Sequence, residues 1–360
     1  MSFGIPLESA PAADRLVASC VKRQMRYLGA LVALLVTSTA GTALAQYTKQ
    51  AGKSAPTAEA AAAADPAPAA GDRDKPNRQS SSRTQTQPAQ IARDDFGNAR
   101  GSNFDLAVDG AFDGQTILVI DYYGAEYNQD FTGPRDAVKA KGFSVVRLPK
   151  EPSPEELAKL LTKSNQFWLI SSCDNKVHLT AEHHKVIKAF FDEGRGVYLW
   201  GDNDPCNADA DRLASILVDA RVKGDLPGDT TVAISTAPGK PGIVRDHLLS
   251  TGVENVYEGV TVATVTPAGS AMTPVIYGSA GNLVTAAYES HGKRLLIDGG
   301  FTRLTYKWDT AGTGRYIRNA AAWLANYEKF GDKVLSTQLQ KKKPNDKAPA
   351  AKIADDSSWW

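Results

Sequence analysis

The densest group of side chains that could do chemistry lies between Gly196 and Leu217. A short apolar run, Gly196 to Trp200, predicts a buried strand, and a helical pattern resumes at about Asn207. A sharp turn between a strand and a helix is where many α/β enzymes display a nucleophile. The polar residues of this turn and of the helix start are Asp202, Asn203, Asp204, Cys206, Asp209 and Asp211.

Asn203 occupies the apex of this predicted turn. A nucleophile elbow holds its central residue at positive φ, and Asn tolerates that conformation better than any residue except Gly. The sequence therefore predicts the shape of an elbow with Asn in place of Cys or Ser. Because an Asn side chain cannot be deprotonated to attack a carbonyl group, this residue is not a candidate nucleophile.

Two cysteines follow consecutive predicted strands. Cys173 comes after the third strand and Cys206 after the fourth, so both thiols are expected at the carboxyl edge of the sheet. In an oxidising compartment they are predicted to form a disulfide. The alternative is that Cys206 is a displaced nucleophile near a helix start, where its pKa would be lowered. No His is placed by a motif to serve it, and surface or helix-capping roles are expected for all five His residues.

Carboxylates are concentrated at the same edge. Asp202, Asp204, Asp209 and Asp211, with Asp174 from the neighbouring strand end, could supply oxygen ligands to Ca²⁺ or Mg²⁺, and the first three are the candidate metal ligands. The alternative is that these residues stabilise the exposed N–H groups at a helix start. The spacing lacks the Gly and the terminal Glu of an EF-hand loop, which favours the helix-start role.

A second candidate region opens the last predicted helix at residues 309–316. Its glycines and free N–H groups could receive an anion, helped by Arg303, Lys307 or Arg315, although helix capping by Thr310 or Thr313 is favoured. Aromatic side chains are expected to line the same crevice, and such walls suit sugars or peptides. The candidate crevice residues are Tyr122, Tyr123, Asp202, Asn203, Asp204, Arg303 and Trp308.

The elements that position these residues alternate along the chain. Apolar runs at 116–122, 144–148, 166–171 and 196–200 are separated by helical patterns, which predicts a parallel sheet covered on both faces. Short strands at 260–265, 274–277, 283–289 and 294–298 predict antiparallel hairpins at one edge. The last helix is predicted at 313–327. The fold class is therefore α/β, a three-layer sandwich with a flavodoxin-like, mostly parallel sheet.

The two ends of the chain have a different composition. Lys22, Arg23 and Arg26 precede an apolar run and the small residues Ala43-Leu44-Ala45, which predicts a signal peptide over residues 1–45, with Met25 as a candidate start. Residues 46–103 form a predicted disordered linker, 104–330 the folded domain, and 331–360 a polar, Lys-rich disordered tail. This organisation predicts a periplasmic or secreted protein, which would contact a membrane only through an uncleaved signal. The formal net charge of +1 indicates no nucleic-acid partner.

Over about residues 114–327 the order of elements resembles the class I glutamine amidotransferase-like superfamily, most closely its trehalose-utilisation-like, non-glutaminase branch. Members that do chemistry have Cys at the elbow apex between flanking glycines, and His, often followed by Glu, at the end of a late strand. Here the apex is Asn203, with Gly201 before it and Pro205 after it, and the late strand ends in Asp298-Gly299-Gly300-Phe301. Neither half of the Cys–His pair is matched.

The resemblance and these departures together predict an exported, non-catalytic domain without a cofactor. Its partner would be a small molecule, a glycan or a protein. The alternative is a hydrolase that uses Cys206 as nucleophile or a divalent metal held by the Asp202–Asp211 cluster.

Overall fold

The computed structural model of the chain describes residues 91–269 and 271–341. The predicted signal peptide, residues 46–90 of the predicted linker and residues 342–360 of the predicted tail lie outside this range. Among the helices in the described residues, none has both the length and the apolar composition needed to span a membrane.

Twelve strands are found in the described residues. They are β1 (Thr116–Asp121), β2 (Ser144–Leu148), β3 (Gln166–Ile170), β4 (Gly196–Trp200), β5 (Ala220–Pro227), β6 (Thr231–Ala233), β7 (Gly242–Ile243), β8 (Asn255–Tyr257), β9 (Thr261–Pro267), β10 (Met272–Tyr277), β11 (Leu283–Ser290) and β12 (Lys293–Asp298). The helices are α1 (Tyr122–Glu126), α2 (Thr132–Ala140), α3 (Pro154–Leu161), α4 (Ala181–Asp192), α5 (Ala208–Val218), α6 (Thr302–Thr305), α7 (Thr313–Leu324), α8 (Tyr327–Phe330) and α9 (Thr337–Lys341).

Eight of the strands form the central sheet, in the order β2-β1-β3-β4-β12-β11-β10-β7. The first five in this order run parallel, and β11, β10 and β7 continue the sheet in antiparallel pairing at one edge. The predicted α/β class is therefore confirmed as a mostly parallel, flavodoxin-like sheet with antiparallel strands at one edge. The two strands that carry the candidate site, β4 and β12, are direct neighbours.

Helices cover both faces of this sheet because alternate strand residues point to opposite sides. On β1, Ile117 and Val119 belong to the core shared with α2 and α7, whereas Leu118 and Ile120 belong to the core shared with α3, α4 and α5. The start of α3 follows from its sequence: the hydroxyl of Ser153 accepts a hydrogen bond from the Glu156 N–H at 3.2 Å, and Pro154 is the first helical residue.

The structure places β9 outside the central sheet. It pairs with β5, a strand that the sequence analysis missed, in a separate two-stranded sheet. Val222 of β5 and Val262 of β9 are buried, with Val222 in the same core as α4 and α5, and the alternate residues of β5 are more exposed. The apolar pattern of β5 is interrupted by Lys, Gly and Asp. The alternation of buried and exposed residues is therefore the one sign of this strand in the sequence.

The folded domain extends beyond the predicted limits of 104 and 330 at both ends. Before 104, the Asn98 side chain accepts hydrogen bonds from the N–H groups of Glu254 and Asn255 at 2.7 and 2.9 Å. After 330, Val334 is buried and the Ser336 N–H donates to the Ala111 carbonyl at 2.7 Å. The N-terminal segment is held by hydrogen bonds to the backbone, which leave no mark in a hydrophobic pattern, whereas the C-terminal segment packs Val334, Leu335 and Leu339 against the core.

Candidate functional site

The carboxyl ends of β1, β3, β4 and β12 lie side by side, and the predicted site residues follow these strands. The turn from β4 to α5 spans residues 201–207. Two backbone bonds close it: the Cys206 N–H donates to the Asn203 carbonyl at 2.7 Å, and the Asp202 N–H donates to the Cys206 carbonyl at 2.9 Å. Asn203 is not among the residues with positive φ. The predicted elbow at this position is therefore wrong, because seven residues reverse the chain without a left-handed apex.

The Asn203 side chain instead joins the turn to β9. Its amide oxygen accepts a hydrogen bond from the Thr261 hydroxyl at 2.7 Å, and its amide nitrogen donates to the Asp204 carbonyl at 3.2 Å. The side chain is mostly buried. Both polar atoms of the amide therefore have structural partners.

Asp202 is a buried acid at the base of this turn. Its carboxylate accepts hydrogen bonds from the N–H of Asn203 at 2.8 Å, the Thr261 hydroxyl at 3.1 Å and the N–H of Thr302 at 3.1 Å. Burial raises the pKa of Asp202 to about 7, although these hydrogen bonds favour the charged form. A carboxyl group of this kind changes its charge near neutral pH.

The predicted disulfide between Cys173 and Cys206 is present. It covalently joins the loop after β3 to the turn after β4. Because the sulfur of Cys206 is bonded to Cys173, Cys206 is not a free thiol, and the alternative that it serves as the nucleophile is wrong for this state of the protein.

The predicted metal ligands do not converge. Asp204 is exposed and accepts hydrogen bonds from the Asn207 side chain at 2.7 Å and the Gly224 N–H at 3.2 Å, whereas Asp209 binds the loop after β3. Across residues 91–269 and 271–341, no three His, Cys, Asp or Glu side chains form a group that could hold a metal ion. Asp202, Asp204 and Asp209 therefore lack the shared geometry that the metal hypothesis requires.

Asp209 holds His178, a residue for which the sequence indicated only a surface or capping role. The Asp209 carboxylate accepts a hydrogen bond from the His178 backbone N–H at 2.8 Å and lies 2.9 Å from His178 Nδ1, while Asp174 lies 3.3 Å from Nε2. Burial disfavours the charged imidazole, but the bond to Asp209 and the charges of both carboxylates outweigh it and raise the pKa of His178. The ring stacks on buried Tyr122, with ring centroids 4.5 Å apart.

This cluster could have been found only by combining topology with spacing. His178 and Asp209 are 31 residues apart in the chain, and neither belongs to a metal or catalytic motif. The predicted adjacency of β3 and β4 brings their two loops together, but it does not indicate which side chains meet.

At the end of β12, the carboxylate of Asp298 is fully buried in an ion pair. It accepts hydrogen bonds from Arg303 at 3.0 Å and from the Thr285 hydroxyl at 2.9 Å, and the Tyr198 hydroxyl lies 3.3 Å away. Burial raises the pKa of Asp298, and Arg303 opposes this effect. The prediction that Arg303 lines an open crevice is wrong, because its guanidinium is buried against Asp298 and the Glu258 carbonyl.

The predicted anion site at the start of the last helix is also filled by internal partners. The Asp309 carboxylate accepts the Gly314 N–H at 3.0 Å. Lys307 is paired with Asp229, and Arg315 with Asp105 at 2.8 Å. The basic residues expected to receive an anion therefore already have carboxylate partners, and the first turn of α7 has an acid beside it.

Aromatic side chains remain at the surface of this edge. Tyr123 is half-buried against Phe301, with ring centroids 4.4 Å apart, and burial together with the charges of Asp202 and Glu126 raises its pKa to about 12. Tyr306, which also contributes to that shift, is 61% exposed. Trp308 is partly exposed and lies against Gly133 of α2, where a Cβ atom would be only 2.3 Å from the indole.

A cleft of about 370 Å³ lies elsewhere in the domain. It is lined by Ile234 and by residues 245–248 and 250–254, none of which belongs to a loop that follows a strand of the parallel part of the central sheet. Burial lowers the pKa of His247 at its wall, so this imidazole is held neutral near physiological pH. The cleft and the candidate site are therefore separate features.

No protein-family model and no curated protein matches the sequence. Solved structures with a similar fold include the mmIFT52 N-terminal domain, with 13% identity, a TM-score of 0.46 and coverage of 58% of this chain and 97% of that one. A GMP synthase-type protein from Thermoplasma acidophilum has 10% identity and a TM-score of 0.36, covering 60% and 96%. A ThuA-like protein of Bacteroides uniformis has 10% identity and a TM-score of 0.42, covering 59% and 91%. Identities and TM-scores this low carry no information on function.

Proposed function

We propose that this chain is an exported, non-catalytic domain of the class I glutamine amidotransferase-like type, close to its trehalose-utilisation-like branch. In this proposal the carboxyl edge of the sheet binds a ligand and does not change it chemically. The observation that carries the proposal is that the candidate side chains in the turn after β4 and at the end of β12 are engaged in internal bonds.

The support comes from three positions. The side-chain amide of Asn203 is held by Thr261 and by the Asp204 carbonyl, so this residue has a structural role. The Cys206 thiol is consumed by the disulfide. At the end of β12, Asp298 neutralises Arg303 inside the core.

The ligand proposed for this edge is a neutral glycan. Tyr123, Tyr306 and Trp308 offer aromatic surface of the kind that packs against the C–H faces of a sugar ring. The exposed carboxylate of Asp204 can accept hydrogen bonds from hydroxyl groups. A peptide or a small polar molecule is the alternative occupant, and the proposed role needs no cofactor.

Export is supported by the disulfide between Cys173 and Cys206. Disulfides persist in oxidising compartments, so the Cys173–Cys206 bond fits a periplasmic or secreted protein. We expect the mature chain from its native host to begin near Gln46, which N-terminal sequencing checks. An intact segment from residue 25 to 45 in the membrane fraction would contradict cleavage.

Binding can be tested by titrating the isotope-labelled protein with neutral mono-, di- and trisaccharides and following its amide resonances. The proposal expects shifts at Tyr123, Asn203 and Thr302, and about tenfold weaker binding after Tyr306→Ala or Trp308→Ala, because each removes one stacking surface. Phe96→Ala is the matched control, since Phe96 is an exposed aromatic outside this edge. Shifts confined to residues 245–254, or no shifts with any sugar, would contradict the glycan proposal.

The non-catalytic part of the proposal has a separate test. The wild-type protein should release no ammonia from glutamine and cleave none of the sugars that it binds. A turnover that disappears after Asn203→Ala, while the fold is retained, would overturn it.

A further inference from the structure

The strand β2 forms an open edge of the central sheet. Within the described residues its one strand partner is β1, in parallel. The Ser144 N–H donates to the Gln115 carbonyl at 2.9 Å, so Ser144, Val146 and Leu148 direct their backbone groups towards β1. Because backbone groups alternate along a strand, Val145 and Arg147 direct their N–H and carbonyl groups outward, where no backbone group from residues 91–269 or 271–341 pairs with them.

Apart from its short length of five residues, this edge lacks the features that usually prevent strand pairing. All five residues of β2 keep a continuous register with β1, without a bulge or a Pro. Its single charged side chain, that of Arg147, is bound within the domain. It forms an ion pair with Asp121 at 2.7 Å, and its guanidinium carbon lies 5.3 Å from the centroid of the Phe131 ring. The opposite edge strand, β7, has only two residues and is bridged by Ile234.

We propose that β2 pairs with β2 of a second copy of this chain, antiparallel about a two-fold axis at Val146. In this register Val145 lies opposite Arg147 of the second copy, and Arg147 opposite its Val145. Both are hydrogen-bonded pairs, so the two outward N–H and two outward carbonyl groups of each strand are all used. The two eight-stranded sheets would then form one continuous sheet.

A second copy fits this edge because the edge is complementary to itself. A two-fold interface brings the same surface together from both chains, so its donors and acceptors must match in number, and here they do. Val146, which is 40% exposed, would pack against Val146 of the second copy, and no like charges would lie opposite each other. Because two five-residue strands bury little surface area, the proposed dimer is weak, and its population depends on the protein concentration.

The test is sedimentation velocity of the full chain over a wide concentration range. The wild type should shift from monomer to dimer. Val146→Lys and Val146→Asp each place like charges opposite each other at the two-fold axis, so each variant alone should stay monomeric over the range in which the wild type dimerises. An equimolar mixture of the two variants should restore a dimer, because the charges opposite each other then attract.

Val177→Lys is the matched control, since it adds the same charge at a similarly exposed valine, 48% exposed, outside β2. It should dimerise like the wild type. A wild type that stays monomeric at every concentration overturns the proposal, as does a dimer that survives both Val146 substitutions. Thermal unfolding of each variant shows whether its fold is retained.

Hydrogen exchange distinguishes the second copy from a segment of the same chain as occupant of the edge. The Val145 and Arg147 amides should exchange more slowly as concentration rises, in step with dimer formation. Slow exchange that is independent of concentration in a monomer would indicate that the edge is covered within one chain, and would overturn the proposal.

Discussion

Asn203 and Asp202 connect the turn after β4 to elements far away in the chain. Asn203 binds Thr261 of β9, and Asp202 binds both Thr261 and the backbone of Thr302. Because Asn203 does not need positive φ, its role rests on hydrogen bonds and not on backbone strain. The effect of a substitution on the free energy of unfolding should therefore depend on which hydrogen bonds the new side chain can form.

Asn203→Ala should lower the free energy of unfolding by about 1 kcal/mol, because Asn203 is the closer of the two acceptors that share the single Thr261 hydroxyl proton, and the variant leaves only Asp202 at 3.1 Å. Asn203→Gly should cost at least as much, whereas at a positive-φ position it would be nearly neutral. Urea denaturation measures both. In a Thr261→Val background the cost of Asn203→Ala should shrink, and an unchanged cost would contradict the proposed role of this hydrogen bond.

Asp202 should make stability depend on pH near neutrality. Its pKa of about 7 in the folded state lies above the ordinary value of 3.8, so the folded state holds a proton that the unfolded state has lost. The stability from this group is present below about pH 4 and is lost as the pH rises through about 7. Asp202→Asn does not titrate, so its stability relative to the wild type should rise between about pH 4 and 7 and level off above that range. A pH-independent difference would contradict the raised pKa.

At the scale of elements, the loop after β3 is joined both to the turn after β4 and to the start of α5. The first link is the Cys173–Cys206 disulfide, and the second is the hydrogen-bonded series Asp174, His178 and Asp209. His178 also stacks on Tyr122 at the start of α1. One wall of the candidate site is therefore fixed to three neighbouring strand ends.

Replacing both cysteines by Ser should lower the free energy of unfolding by about 3–4 kcal/mol, because the bond joins residues 33 positions apart and restricts the unfolded chain. Urea denaturation is the measurement. Dithiothreitol should reduce the stability of the wild type by a similar amount and leave the double-Ser variant unchanged. Free thiols at positions 173 and 206 in the native protein would show that the bond does not form.

At the scale of the whole molecule, the segments at both ends of the described chain pack against the domain. Asp105 is buried and bound by Lys141, Arg315 and Arg318 at 2.9, 2.8 and 2.7 Å, which fixes the entry to the domain against α7. At the other end, Val334 is buried and Ser336 is bonded to Ala111. Both ends of the described chain therefore contribute to stability.

A chain that ends at Phe330 should be less stable than one that ends at Lys341 by about 2–4 kcal/mol, because it loses the buried side chain of Val334 and the Ser336 hydrogen bond. Thermal or urea unfolding of the two chains measures the difference. The full chain is the control, and the chain that ends at Lys341 should match it. Equal stability of all three would indicate that residues 331–341 contribute nothing to the domain.

The sequence by itself determined the α/β class, the parallel strands β1 to β4 and the hairpin strands β10 to β12 at one edge, and it predicted the disulfide as one of two roles for Cys206. These features depend on local periodicity, on turn and capping residues, and on the adjacency of strands that successive crossovers impose. The sequence also placed Asp202 and Asn203 at the carboxyl edge, because a polar run directly after a buried strand must lie there.

Only the tertiary structure decided what those side chains contact. Asp202, Asp204 and Asp209 are close in the chain but bind different elements, whereas His178 and Asp209 are 31 residues apart and meet. The sequence indicates an exposed cation at Arg303, and the fold buries it against Asp298. The physical reason is that the direction of a side chain decides whether a hydrogen bond or an ion pair forms, and packing between distant segments sets that direction. Residue type and spacing along the chain fix the strand end, but they do not fix the partner.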